Sequence, residues 1–149
     1  MRRLLYIIVL LSLLAVPAER MDVSKLMPVE LVAVDYQMGL IEISTDTGNK
    51  GVGKTVAEAY QNLRESASGT VFLDTANYLL LCGKSGGLLK ELKKDLRPGV
   101  RFCMAQSGLD LQEAALYLSE HPPKHRLKDS QYGVNPQTLV QTNTGFLLR

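Results

Sequence analysis

The chain has 149 residues, with 17 Lys and Arg against 15 Asp and Glu, a formal net charge of +2. A balance so close to neutral leaves no electrostatic footprint for nucleic acid, and the length suits one domain with a sizeable core. Aromatic residues are 6% with no Trp, which disfavours a carbohydrate groove, and two cysteines are too few for a disulfide framework.

Arg2 and Arg3 precede residues 4–16, an apolar run interrupted by Tyr6 and Ser12 alone. Val16-Pro17-Ala18 then places small residues at −3 and −1 for cleavage before Glu19. A membrane span needs about 20 apolar residues, so this run reads as an export signal, with an uncleaved N-terminal anchor as the alternative. Removal of residues 1–18 takes away Arg2 and Arg3 and brings the formal charge to 0. The expected organisation is a signal peptide or anchor at 1–18, a single α/β domain at 19–123, and a polar C-terminal tail at 124–149.

Residues 29–35, VELVAVD, are β-rich and nearly all apolar, as in a strand buried on both faces. Gln37-Met38-Gly39 is a turn, and residues 41–45 alternate as a half-buried strand does, so the two read as a hairpin. Residues 46–53 are polar and glycine-bearing, a loop. Val56, Ala59, Tyr60 and Leu63 then recur at helical spacing. Residues 71–73 and 78–82 are extended apolar segments. Leu88, Leu89, Leu92 and Leu96 mark a second helix stopped by Pro98. Residues 100–105 form another strand, and Leu111, Ala114, Ala115 and Leu118 a third helix, opened by Asp110 and closed by His121-Pro122-Pro123. The fold class is therefore α/β (α+β): a mixed sheet beginning with a hairpin, about three helices packed on it, preceded by a signal or anchor helix.

The segment 48–55, GNKGVGKT, supports two incompatible readings. As a P-loop, Gly48 and Gly53 free backbone N–H groups for phosphates, Lys54 reaches the β/γ oxygens, Thr55 ligates Mg²⁺, and Asp74 in TVFLD stands as a Walker-B carboxylate. As a helix start, Thr55 and Glu58 form a capping box that stabilises by about 1 kcal/mol without any ligand. Asp110 with Glu113 repeats that device. The short separation between Thr55 and Thr70, the small chain and an exported location all favour the cap.

Other chemistry is sparse. The stretch 83–87, GKSGG, reads as a strand-to-helix turn or an anion nest. His121 and His125 have no carboxylate or thiol partner at metal-ligand spacing. Lys90, Lys93, Lys94 and Arg97 form the solvated face of one helix. Cys82 and Cys103 lie in apolar strands and read as buried thiols, with a bridge between them as the alternative. No catalytic constellation, metal or cofactor site emerges.

The order of pieces resembles the N-terminal domain of the Ger(x)C family, the C subunits of bacterial spore germinant receptors. Ala33-Val34-Asp35 stands where that family has a Gly-Ile-Asp-like triplet, and Gly53-Lys54-Thr55-Val56-Ala57-Glu58-Ala59 matches its Gly-x-Thr-x-x-Glu-Ala helix. Leu79-Leu80-Leu81-Cys82-Gly83 resembles its apolar strand ending in Gly, and Asp95-Leu96-Arg97-Pro98-Gly99-Val100 its acidic-Arg-Pro segment. The resemblance covers roughly residues 1–120. It departs from the family at Pro17, where a lipidated Cys is usual, in lacking a basic residue around 74–78, and in lacking two further domains.

The resemblance implies a non-enzymatic, exported module of an endospore-forming bacterium. Such a module associates at the membrane surface with membrane-embedded germinant-receptor-like subunits or other sporulation proteins, not with nucleic acid. Loop 46–53 and the segment after Pro123 are the expected contact surfaces. A small-ligand-binding secreted domain and a P-loop nucleotide-binding protein are the alternatives.

Overall fold

The computed structural model describes residues 26–149, so the expected signal or anchor at 1–18 lies outside the described residues. Seven strands form one mixed sheet, in the order β4 (Lys50–Gly53), β3 (Leu40–Thr45), β2 (Leu31–Gln37), β6 (Tyr78–Gly83), β7 (Arg101–Ala105), β8 (Thr138–Thr142), β9 (Gly145–Leu148). The four central strands β2, β6, β7 and β8 run parallel, and antiparallel pairings complete both sides. A short parallel pair, β1 (Leu26–Pro28) with β5 (Thr70–Phe72), lies outside this sheet. The fold is α+β, with a hairpin opening the large sheet as expected from the apolar run at 29–35, the turn at 37–39 and the alternation of 41–45.

That hairpin is set by its turn. Met38 and Gly39 both have positive φ, 52° and 80°, the conformation that lets a two-residue loop follow the strand twist. Helix α1 (Val56–Ser66) buries Val56, Ala59, Tyr60 and Leu63, the residues picked out by the 3.6-residue period. Helix α2 is only Leu89–Leu92, preceded by a 3-10 turn at Ser85–Leu88, yet Leu92 and Leu96 are both buried. Helix α3 (Leu111–Glu120) starts on Asp110, whose carboxylate accepts from the N–H groups of Gln112 and Glu113 at 2.9 and 3.0 Å.

The sheet has a core on each face. Val32, Val34, Ile41, Ile43, Leu79, Leu81 and Phe102 pack with α1, α2 and Leu96 on one side. Leu31, Ala33, Leu80, Cys82, Cys103 and Leu139 pack with Ala114, Ala115 and Leu118 of α3 on the other. The period-2 alternation of β2 and β6 sends successive residues to opposite cores, so both strands read as continuous apolar runs. No helix among the described residues is long and apolar enough to cross a membrane.

Two expected segments differ from the reading above. Only residues 46–49 of the expected loop 46–53 are a turn; Lys50–Gly53 is strand β4, paired with β3. Its glycines are there because α1 lies directly against it. A Cβ on Gly53 would come within 2.5 Å of the Ala59 nitrogen, and one on Gly51 would overlap the backbone of Ala59 and Leu63. Residues 124–149, expected as a polar tail, carry a 3-10 segment at Leu127–Tyr132 and strands β8 and β9. Leu127 and Leu139 are fully buried, one in each core. Each contributes about 1.5–3 kcal/mol of burial, so this segment is part of the fold.

Candidate functional site

The P-loop residues do not assemble. Thr55 is the N-cap of α1: its hydroxyl accepts from Glu58 N–H at 3.2 Å, and the Glu58 carboxylate accepts from Lys54 N–H at 2.8 Å. Gly48 sits in the β3–β4 turn with φ 83° and open space around it, while Gly53 is pressed against α1. The antiparallel register Ile41↔Gly53 and Ile43↔Gly51 commits this backbone to the sheet rather than to a phosphate cradle. Asp74 lies just after β5, lining a cleft with Arg64 at the far end of α1. Thr55 caps the opposite end of this 11-residue helix, which is about 16 Å long.

The other candidates are scattered. Gly83 ends β6 with φ 58°, and Ser85 in the following turn is buried with an unpartnered Oγ. His121 stacks on Tyr117 with ring centroids 4.7 Å apart, whereas the His125 carbonyl accepts from Phe102 N–H. Arg97 donates to the Ala76 carbonyl at 3.1 Å. Among the described residues no three His, Cys, Asp or Glu side chains converge as metal ligands would.

The place where polar and apolar side chains do converge is the part of the sheet that α3 leaves bare. Helix α3 packs against residues of β2, β6, β7 and β8, and no β3 or β4 residue belongs to that core. The pairings Asp35↔Glu42↔Val52 and Ala33↔Ser44↔Lys50 put these residues in two rows on α3's side of the sheet, with Gln37 and Leu40 beyond them. Lys50 Nζ and Glu42 Oε1 are 3.2 Å apart, and the Ser44 hydroxyl donates to the same oxygen at 3.1 Å. Gln37 Nε2 donates to Asp35 Oδ2 at 2.8 Å and to Ser107 Oγ at 3.2 Å, tying the end of β2 to the loop after β7. Leu40 and Val52 are 44% and 43% exposed and Met38 at the hairpin tip is fully exposed, so apolar surface faces solvent beside the charges.

Between this surface and the start of α3 is a cleft of about 120 Å³, lined by Asp35, Glu42, Ser44, Lys50, Cys82 and Leu111. It sits outside the carboxyl ends of parallel strands, where open α/β sheets hold ligands. Asp35 Oδ1 is buried there without a hydrogen-bond partner. Gly83 leaves it room, since a Cβ at that position would lie 3.0 Å from this oxygen.

The thiols nearby are not poised for chemistry. Burial, and then the Asp35 carboxylate, push Cys82 up to about 12, and burial with Cys82 beside it pushes Cys103 up to about 12. Both are free and buried, and Cys82 donates weakly to the Gln106 carbonyl at 3.6 Å. Neutral thiols are poor nucleophiles and poor metal ligands.

Of this surface, Asp35 stands out in the sequence as the residue ending VELVAVD. The Glu42–Lys50 pair and Val52 carry no sequence signal, since only the β3–β4 register brings them together. Compared with protein-family models, curated proteins and solved structures, the chain matches none of them.

Proposed function

We propose that this chain is a non-catalytic, extracytoplasmic association module of the kind its resemblance to the Ger(x)C N-terminal domain implies. It docks onto membrane-embedded germinant-receptor-like subunits or other sporulation proteins at the membrane surface. The docking surface is the uncovered β2–β3–β4 face. The observation that carries this reading is the bare half-sheet itself, where Met38, Leu40 and Val52 are exposed beside the Glu42–Lys50 pair. Exposed apolar side chains interleaved with charged and polar ones suit a protein interface better than a small-molecule pocket. Of the surfaces expected to make contact, 46–53 contributes Lys50 and Val52 through β4, whereas residues 124–149 serve the fold.

Expression of the full-length chain with a C-terminal tag in a Gram-positive host tests the location. Mass spectrometry of its N-terminus is combined with protease treatment of intact protoplasts. A chain beginning at Glu19, or an uncleaved chain with a protease-accessible tag, is the expected result. A full-length chain with a protected tag contradicts the proposal.

The unpartnered Asp35 Oδ1 favours one second reading, a small donor-bearing ligand in the adjoining cleft. A thermal-shift screen of small amines and amides against wild type and Asp35→Asn separates the two. Stabilisation confined to wild type favours the ligand, and no shift with any compound counts against it.

A further inference from the structure

The two edges of the seven-stranded sheet are finished differently. At β4, the register with β3 turns the backbone of Lys50 and Val52 outward. Both outward carbonyls are occupied by α1: Ser66 Oγ donates to the Lys50 carbonyl at 2.8 Å, and Asn62 Nδ2 to the Val52 carbonyl at 2.6 Å. That edge is guarded against a further strand.

At β9 there is no such guard. Thr138 and Arg149 exchange both of their backbone hydrogen bonds across β8 and β9, which fixes the alternation along the pair. Gly145 and Leu147 therefore turn their N–H and C=O groups toward β8, and Phe146 and Leu148 turn theirs outward. Among the described residues no strand lies beyond β9, and no hydrogen bond reaches those outward groups. The strand reads Gly-Phe-Leu-Leu, without the Pro, Lys or bulge that usually blunts an exposed edge. It is also firmly placed, because Phe146 packs on Tyr117 of α3 with ring centroids 5.8 Å apart.

We propose that β9 pairs antiparallel with β9 of a second copy, about a two-fold axis at Leu147, joining two sheets into one. The pattern is self-complementary. With Leu147 opposite its own equivalent, Phe146 of each copy faces Leu148 of the other, and every outward N–H meets an outward C=O with none left over. Leu147, 43% exposed, then sits in the closely spaced, non-hydrogen-bonded position where side chains touch across the axis. No charged residue within β9 opposes the approach. This edge lies across the sheet from the β2–β4 face, so self-pairing stands or falls separately from the partner proposed above.

Leu147→Cys in the full-length chain tests the register directly. Mild oxidation is expected to give a disulfide-linked dimer, while the same treatment of Leu116→Cys, on the exposed side of α3, gives none. Sedimentation equilibrium of the full-length chain in mild detergent is expected to show a monomer–dimer equilibrium. Leu147→Lys, which sets like charges opposite each other, weakens it about tenfold or more without changing the circular dichroism spectrum. A monomer at every concentration with no cross-link at 147 overturns the proposal. So does a dimer that Leu147→Lys leaves intact, or cross-linking at 116 as efficient as at 147.

Discussion

Substitution of Thr55 separates the two meanings of the segment 48–55. In the fold Thr55 holds Glu58 N–H at 3.2 Å while Glu58 holds Lys54 N–H at 2.8 Å. Thr55→Ala leaves one of these donors without its partner, at about 1 kcal/mol for a lost N-cap. Unfolding entropy of about 2.1 cal/mol/K per residue gives about 0.26 kcal/mol/K for the described residues 26–149, so the melting temperature falls by about 4 °C. Thr55→Asp keeps an acceptor at the cap and adds a negative charge at the helix N-terminus, offset in part by Glu58. Its stability is expected within about 0.5 kcal/mol of wild type. A Thr that ligates Mg²⁺ beside a phosphate demands a different pattern: Mg-ATP raises the wild-type melting temperature, and both variants lose that rise. Thermal melts followed by circular dichroism, with and without Mg-ATP, read both patterns. Equal destabilisation by Ala and Asp, or an ATP-dependent rise, refutes the capping account.

Three further outcomes follow from packing and ionisation. Leu139→Ala removes a fully buried side chain from the α3 core and costs about 2–5 kcal/mol in urea unfolding, whereas a change near zero restores the view of 124–149 as a tail. Gly51→Ala drives a Cβ into the backbone of α1, with no flexible side chain to yield, and costs about 1–3 kcal/mol in the same assay; a neutral effect shows that α1 does not lie so close. Cys82 and Cys103 are raised to about 12 by burial, so their contribution to stability is whole below the unfolded thiol value near 9 and is lost as pH rises toward 12. The urea midpoint is therefore expected to fall more steeply above pH 9 in wild type than in a Cys82→Ala, Cys103→Ala double variant, and identical slopes contradict the burial of the thiols.

The elements legible in the sequence are those whose residues obey one pattern. Strands β2 and β6 stand out as continuous apolar runs, and helices α1 and α3 because their apolar residues recur at spacing 3.6 and Thr55 and Asp110 mark their starts. Strand β4 was hidden by its own packing. Gly51 and Gly53 look like loop residues locally, yet each is required by the α1 backbone lying against it, which is a tertiary demand. Strands β8 and β9 were hidden by their place at the side of the sheet, where Thr138, Gln141 and Thr142 face solvent and leave Leu139 alone fully buried. Asp35 could be found as a residue, but its setting could not. The proximity of Glu42, Lys50, Ser107 and Cys82 depends on register and on loops after separate strands.

The central claim is that the bare β2–β3–β4 face is where this module meets its partner. Photo-cross-linking from that face, in membranes of a sporulating host, tests it most directly. A photoreactive residue at Leu40 or Val52 is predicted to give one discrete adduct with an integral membrane protein. The same residue at Gln61, exposed on α1 across the sheet, is predicted to give none. Equal labelling from all three positions, or none from Leu40 and Val52, contradicts the account.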